Sequence, residues 1–238
     1  MCGRYVLKTA LEELARIFGF VERPNLMARY NIAPTLEVPV IRQRREPAGQ
    51  RSLAALRWGL VLPWADNPKA GPPLINARAE TLLEKPAFKG AAQRRRCLVP
   101  ADGYYQWKED DASKQPYLIA RADRAPFAFA GLWERWGPRH EPAAALDSFT
   151  IITADANDFL SGFHHRMPVV LTPDQYATWL DPESRLEAAL GLLTPAPNDL
   201  LEAVPLERAV NSNRADGPDL LTPAGATMRW HGMQGRSV

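Results

Sequence analysis

The sequence predicts an α+β fold: a single compact domain on a mainly antiparallel, curved or barrel-like β-sheet with flanking helices. Three observations carry this. Short β-branched and aromatic runs recur along the chain, separated by Pro- and Gly-rich connections. Twenty-two prolines in 238 residues exclude long helices from most of the middle. The regular alternation of strand and helix patterns that a parallel doubly wound sheet requires is missing.

Thr9 and Glu12 have capping-box spacing, Leu11, Leu14, Ala15 and Phe18 form an apolar stripe, and Gly19 is suited to end this first helix. Strands are expected at residues 38–42, 53–58, 104–108, 117–122, 127–132, 149–153 and 168–171. The run from Arg96 to Trp107 reads as a strand, a tight turn at Asp102-Gly103, and an aromatic strand whose Tyr105 and Trp107 share a core-facing side. A second helix starts at Thr172, with Pro173 in its first turn and Gln175 closing a capping box. A third opens at Asp181-Pro182-Glu183 and runs to about Leu190. Residues 43–49 and 136–142 read as exposed loops, and the Arg94-Arg95-Arg96 run as a solvated turn. The domain is expected to span residues 1–225, followed by a loosely structured tail over 226–238.

Composition bounds the function. Hydrophobic residues make up 46% and charged residues 24%, enough for a proper core. A net charge of +2 creates no global field for a polyanion, so any nucleic-acid site must come from local arginine clusters. The first residues are charged throughout and hold no apolar stretch of signal-peptide type, and no apolar run is long enough to cross a bilayer. The two cysteines, Cys2 and Cys97, fit a reducing cytoplasm, with Cys97 expected as a buried apolar residue. Four histidines and two cysteines without Cys-x-x-Cys spacing argue against a metal site, and no cofactor is expected.

Four segments could carry chemistry. Cys2 follows Met1, and removal of Met1 would leave an amine and a thiol on one residue. The amine can condense with an aldehyde, and the thiol can then close a five-membered thiazolidine; alone, Cys2 could equally be a cysteine that falls early. In Asn76-Ala77-Arg78-Ala79-Glu80, an extended chain puts Asn76, Arg78 and Glu80 on one face, either as a site or as a polar strand edge. His164 and His165, beside Arg166 and ahead of an apolar strand, suit acid/base work. Arg57 lies near Trp58 and Trp64; Trp58 reads as core, whereas Trp64, after Pro63, reads as an exposed stacking platform.

Taken in order, Met-Cys-Gly-Arg at the start, Tyr30–Thr35, Arg57–Leu60, Asn76–Thr81, Cys97–Tyr105 and His164-x-Arg166-Met167-Pro168, with Thr153 as a further match, resemble the SOS-response-associated peptidase (SRAP) family of abasic-site processing proteins. The resemblance implies a mainly-β fold with a groove for single-stranded DNA, and a thiazolidine link between Cys2 and the open-chain aldehyde of an abasic site. It implies that Asn76 orients the Cys2 amine and His164 transfers protons at the sugar. Arg4, Arg57, Arg78 and Arg166 would contact the DNA, Trp64 would stack on or wedge beside a base, and Thr153 would line the pocket. It also implies removal of Met1, and lyase-type release of the adduct. The partner would be single-stranded DNA containing abasic sites, with no membrane, met by a monomer in the cytoplasm and at the nucleoid during DNA damage. The family usually has Glu where this chain has Gln106, which keeps the hydrogen bonds but cannot exchange a proton at neutral pH. Two other classes fit the same residues: a Cys-dependent hydrolase with Cys2 as nucleophile and His164 as base, and a non-covalent single-strand binder.

Overall fold

The computed structural model describes residues 2–44, 49–69, 71–110, 113–137, 145–212 and 214–232. The strands are β1 (Tyr5–Leu7), β2 (Arg29–Ile32), β3 (Glu37–Gln43), β4 (Arg51–Trp58), β5 (Asn76–Arg78), β6 (Arg96–Ala101), β7 (Gly103–Asp110), β8 (Ser113–Arg121), β9 (Phe127–Trp136), β10 (Leu146–Asp155), β11 (Arg166–Pro168), β12 (Val170–Leu171), β13 (Leu201–Pro205) and β14 (Met228–Arg229). The helices are α1 (Leu11–Phe18), α2 (Pro86–Arg94), α3 (Asp158–Ser161), α4 (Tyr176–Leu180) and α5 (Leu186–Gly191).

Five strands close on themselves in the order β10-β4-β3-β6-β9, with β9 pairing back to β10. Closure leaves the ring without an exposed edge, which bears out the expected barrel-like sheet. The pairings β10–β4 and β10–β5 are parallel and the others antiparallel. A second, antiparallel sheet runs β14-β13-β8-β7-β1-β2. Trp58, Phe129 and Phe149, from β4, β9 and β10, are fully buried in the core, as is every residue of β6. At Gly131 a side chain would stand 2.9 Å from Cys97 Sγ, so β9 and β6 approach too closely there for any larger residue.

Several expectations change. The strands β6 and β7 form no hairpin: Asp102-Gly103 is where the chain passes from the barrel into the second sheet. The Thr9–Glu12 capping box is absent because the Thr9 hydroxyl donates to Asp102 Oδ1 (2.5 Å), and Ala10 occupies the cap without a side-chain bond. Gly19 does end α1, in the left-handed conformation at φ 72°. The second box is present, with Thr172 N–H donating to Gln175 Oε1 (3.0 Å), but it opens a 3-10 turn that leads into α4. The third helix begins at Leu186, after a turn at Asp181–Ser184. Arg96 is no solvated turn residue: it is buried and donates to the carbonyls of Ala92, Gln93, Trp179 and Asp181, joining α2, β6 and α4.

Beyond residue 225, β14 pairs with β13, and Arg229 Nε donates to the buried Glu202 (2.8 Å). Residues 45–48 and 138–142 of the expected loops, and 233–238 of the tail, lie outside the described residues.

At Gly103 an added Cβ would stand 2.8 Å from both the Ile119 carbonyl oxygen and Leu118 Cδ1. Because backbone cannot step aside as a side chain can, Gly103→Ala should cost about 1–3 kcal/mol of stability. Urea unfolding checks this, and an unchanged midpoint would refute it.

Candidate active site

The N-terminal strand β1 lies between β7 and β2. Tyr105 N–H donates to Arg4 O (3.0 Å) and Asp102 N–H to Val6 O (2.8 Å), which fixes the backbone just after Cys2. Cys2 itself is buried, and burial pushes its thiol up to about 12. Asn76 opens β5, which lies parallel along β10 so that Asn76, Ala77 and Arg78 face Ile151, Ile152 and Thr153. This register brings Asn76 Nδ2 to donate to Cys2 O at 3.0 Å. The other end of that amide, Oδ1, is buried with no donor.

The far end of β10 builds the second half of the site. Buried Thr153 donates to Ala77 O (3.4 Å), and β11 pairs Pro168 with Thr153 and Arg166 with Asp155. His164 precedes β11; its Nδ1 accepts the Arg166 N–H at 2.9 Å, so the neutral ring carries its proton on Nε2. The ring stacks on His165 with centroids 4.2 Å apart. Burial first, then the positive charges of the chain's N-terminus, His165 and Arg166, hold the His164 pKa below its ordinary value. Gln106 on β7 lines an open cleft of about 590 Å³ with Trp107, Lys108, Lys114, Phe163, His164 and His165.

The arginines divide. Arg78 is exposed, with no hydrogen-bond partner among the described residues. Arg166, expected on a phosphate, is buried, with its guanidinium engaged by Glu80, Asp155 and Thr153. Arg4 donates to Val210 O (2.5 Å) and lies 4.5 Å over the Trp107 ring, and burial lowers its pKa. Trp107 is therefore a half-buried wall of the cleft and only partly core, whereas Tyr105 is fully buried. Arg57 donates to Gly59 O (3.2 Å), and Trp64 is 61% exposed on the loop after β4. Among the described residues no hydrogen bond ties either to Cys2, Asn76 or His164.

Sequence reasoning missed Asp155 and the role of Glu80. The period-two reading placed Glu80 beside Asn76, but β5 stops at Arg78 and residues 79–81 form a 3-10 turn that carries Glu80 to Arg166. Nothing local marks Asp155, whose partner Arg166 lies 11 residues on, across the β10–β11 pairing.

A larger cleft, about 1170 Å³, opens at the other end of β10 around Arg42, Arg95, Arg135 and Trp133. Its cations are already matched: Arg42 and Arg135 to Asp147, Arg95 to Glu134, Arg44 to Glu22. Neither cleft is lined by Cys2 or Asn76, but the smaller one holds His164 and Gln106 and the larger holds neither, so the smaller cleft is the candidate site. Among the described residues no group of three or more His, Cys, Asp or Glu could hold a metal ion. No helix of the described residues is long and apolar enough to cross a membrane.

Residues 1–213 match the family model described as SOS response associated peptidase (SRAP). The chain is 38% identical to the abasic site processing protein YoaM of Bacillus subtilis, over 93% of this chain and 97% of that protein. It is 32% identical to the abasic site processing protein YedK of Escherichia coli, over 94% and 100%. It is 31% identical to the abasic site processing protein HMCES of Gallus gallus, over 94% and 78%. A crystal structure of a protein from Bacteroides thetaiotaomicron aligns with a TM-score of 0.81 at 25% identity, covering 94% of this chain and 100% of that one.

A thiol raised to about 12 is ionised only to about one part in 10⁴ at pH 8. In protein that retains Met1, both free cysteines should therefore resist a thiol-titrating disulfide reagent until the chain is unfolded, when both react. Rapid labelling of native Cys2 at pH 8 would contradict the burial.

Proposed function

The chain belongs to the SOS response associated peptidase family, and from that premise we propose that it captures abasic sites in single-stranded DNA covalently through Cys2 once Met1 is removed. The observation that carries this reading is the Asn76–Cys2 pair. The Asn76 amide is fixed on the Cys2 carbonyl while its own oxygen lies buried without a donor. A free Cys2 amine would supply that donor and would be held in turn. A buried acceptor left alone costs about 1–3 kcal/mol, so the amine relieves a standing penalty.

The chemistry balances without an oxidant. The neutral amine adds to the aldehyde carbon of the open sugar, and the resulting carbinolamine loses its hydroxyl as water to give an imine. Cys2 Sγ then adds to the imine carbon, its proton passing to the nitrogen, and the thiazolidine closes. His164, neutral near pH 7 with its proton on Nε2, would hand protons to the departing oxygen. The protonated, buried thiol speaks against acyl attack by a thiolate and so against the hydrolase reading. Arg78, Lys108 and Lys114 bring positive charge for phosphates, and Trp64, with Arg57 nearby, offers a platform for an unstacked base. Arg4, Thr153 and Arg166 would shape the site from behind.

Incubated with an oligonucleotide carrying one abasic site, protein confirmed by mass to lack Met1 should give a band that survives a denaturing gel. Cys2→Ala should lose that band and keep non-covalent strand binding. An adduct of normal yield from Cys2→Ala would remove Cys2 as the nucleophile.

Gln106 faces the cleft that holds His164 but cannot exchange protons. A placed acid or base contributes about 10²–10⁴-fold to such steps, so Gln106→Glu should speed adduct formation, reversal or both by at least about tenfold. Affinity for a strand without an abasic site should hold or weaken slightly, because a carboxylate is added near phosphates. Unchanged rates in stopped-time gels would mean that another group already moves the proton.

A further inference from the structure

We propose that Glu80 and Asp155 are positioning residues for His164: by clamping the Arg166 guanidinium they hold the Arg166 N–H on Nδ1 and so keep the imidazole proton on Nε2. The proposal rests on the reading of His164 as the proton-transfer group.

The clamp is over-determined. Glu80 takes both guanidinium ends in a bidentate fork, Oε1 on Nη1 at 2.8 Å and Oε2 on Nη2 at 2.9 Å. Asp155 Oδ1 takes a second bond from Nη1 at 2.6 Å, and the Thr153 carbonyl a second bond from Nη2 at 2.6 Å. A planar fork bound at both ends from two sides can neither rotate nor slide. Arg166 is also held through its backbone, paired with Asp155 across β10 and β11. Its N–H is turned to the ring two residues earlier, at 2.9 Å from Nδ1.

Electrostatics support the same assignment. The Glu80 and Asp155 side chains are 46% and 79% exposed, so both carboxylates are open to solvent beside Arg166. Two exposed negative charges repel a polyanion, and one would already neutralise Arg166. What the pair supplies beyond neutralisation is geometry. The Arg166 bond, foremost, holds the Glu80 carboxyl below its ordinary pKa, so the clamp remains charged through neutral pH.

Nitrogen-detected NMR of the imidazole, on protein without DNA, tests the clamp apart from any capture chemistry. Wild-type His164 should show the Nε2–H tautomer alone; Glu80→Gln and Asp155→Asn should show a mixture, with Glu80→Asp restoring part of the single tautomer. Adduct formation at saturating abasic strand should slow by about tenfold in Glu80→Gln, short of the roughly hundredfold that a 1 Å misplacement can cost. Affinity for an abasic-free strand should hold or tighten, because a negative charge is removed. A Glu80→Gln variant of wild-type thermal midpoint that keeps a pure Nε2–H ring would overturn the clamp. So would an unchanged tautomer with rate and strand affinity falling together, which would put Arg166 on a phosphate. A mixed tautomer in the variants, with no adduct even from the wild type, would leave the clamp standing and sink the capture reading.

Discussion

Where β6 of the barrel gives way to β7 of the second sheet, the Asp102 carboxylate accepts the N–H groups of Lys8 and Thr9 (2.5 and 2.9 Å) and the Thr9 hydroxyl (2.5 Å). Its own N–H reaches Val6 O at 2.8 Å. Chain termini ordinarily fray, because few contacts hold them. Here the N-terminal strand is locked between β7 and β2, and it is locked at the residue that joins the two sheets. The position of Cys2 depends on that anchor. Cys2 can meet Asn76 only if β1 has a fixed place, and Asn76 is fixed in turn by its parallel register on β10. A residue second in the chain thereby gains the rigidity usually reserved for residues inside elements.

The same dependence explains what could be read from the sequence. Six of the seven expected strands are present as single elements, each long enough to show a run of β-branched and aromatic residues, whereas the run expected over 168–171 is split at Val169 between β11, which pairs with β10, and β12, which pairs with β9. The three-residue strands β1 and β5 are too short for any pattern, yet they carry Cys2 and Asn76. Closure of the barrel rests on β10 pairing with β4 on one side and β9 on the other, a choice between distant partners that no local signal encodes. The N-terminal capping box failed for a related reason: Asp102, 93 residues away, competes for the Thr9 hydroxyl and wins.

Residue type made Cys2, Asn76 and His164 visible as candidates, whereas the roles of the arginines depend on neighbours far along the chain. A guanidinium with an empty face and one already bound in a fork look identical in a sequence. Arg166 meets Glu80 across 86 residues and Arg4 meets Val210 across 206. Arg78, in the same short motif as Glu80, remains exposed. With a net charge of only +2, this division matters more than the number of basic residues. The buried fork organises the site, and in the proposed capture the exposed Arg78 would meet a phosphate.

Burial of the Cys2 thiol also sets the order of events in the proposed capture. At about 12 its pKa leaves roughly one thiolate in 10⁵ at pH 7, whereas an α-amine near 7.7–8.0 is about a tenth neutral. Sulfur therefore cannot lead. The amine must add first, and the thiol then meets an imine carbon, which accepts a neutral nucleophile because nitrogen can take the thiol proton as the bond forms. A site working in this order has little use for a base beside the sulfur, and among the described residues none is hydrogen-bonded to it. What it needs is an amine held in place and unprotonated, in surroundings that disfavour charge. The Asn76 amide answers the first need, and the apolar burial that raises the thiol answers the second, because it penalises an ammonium as it penalises a thiolate.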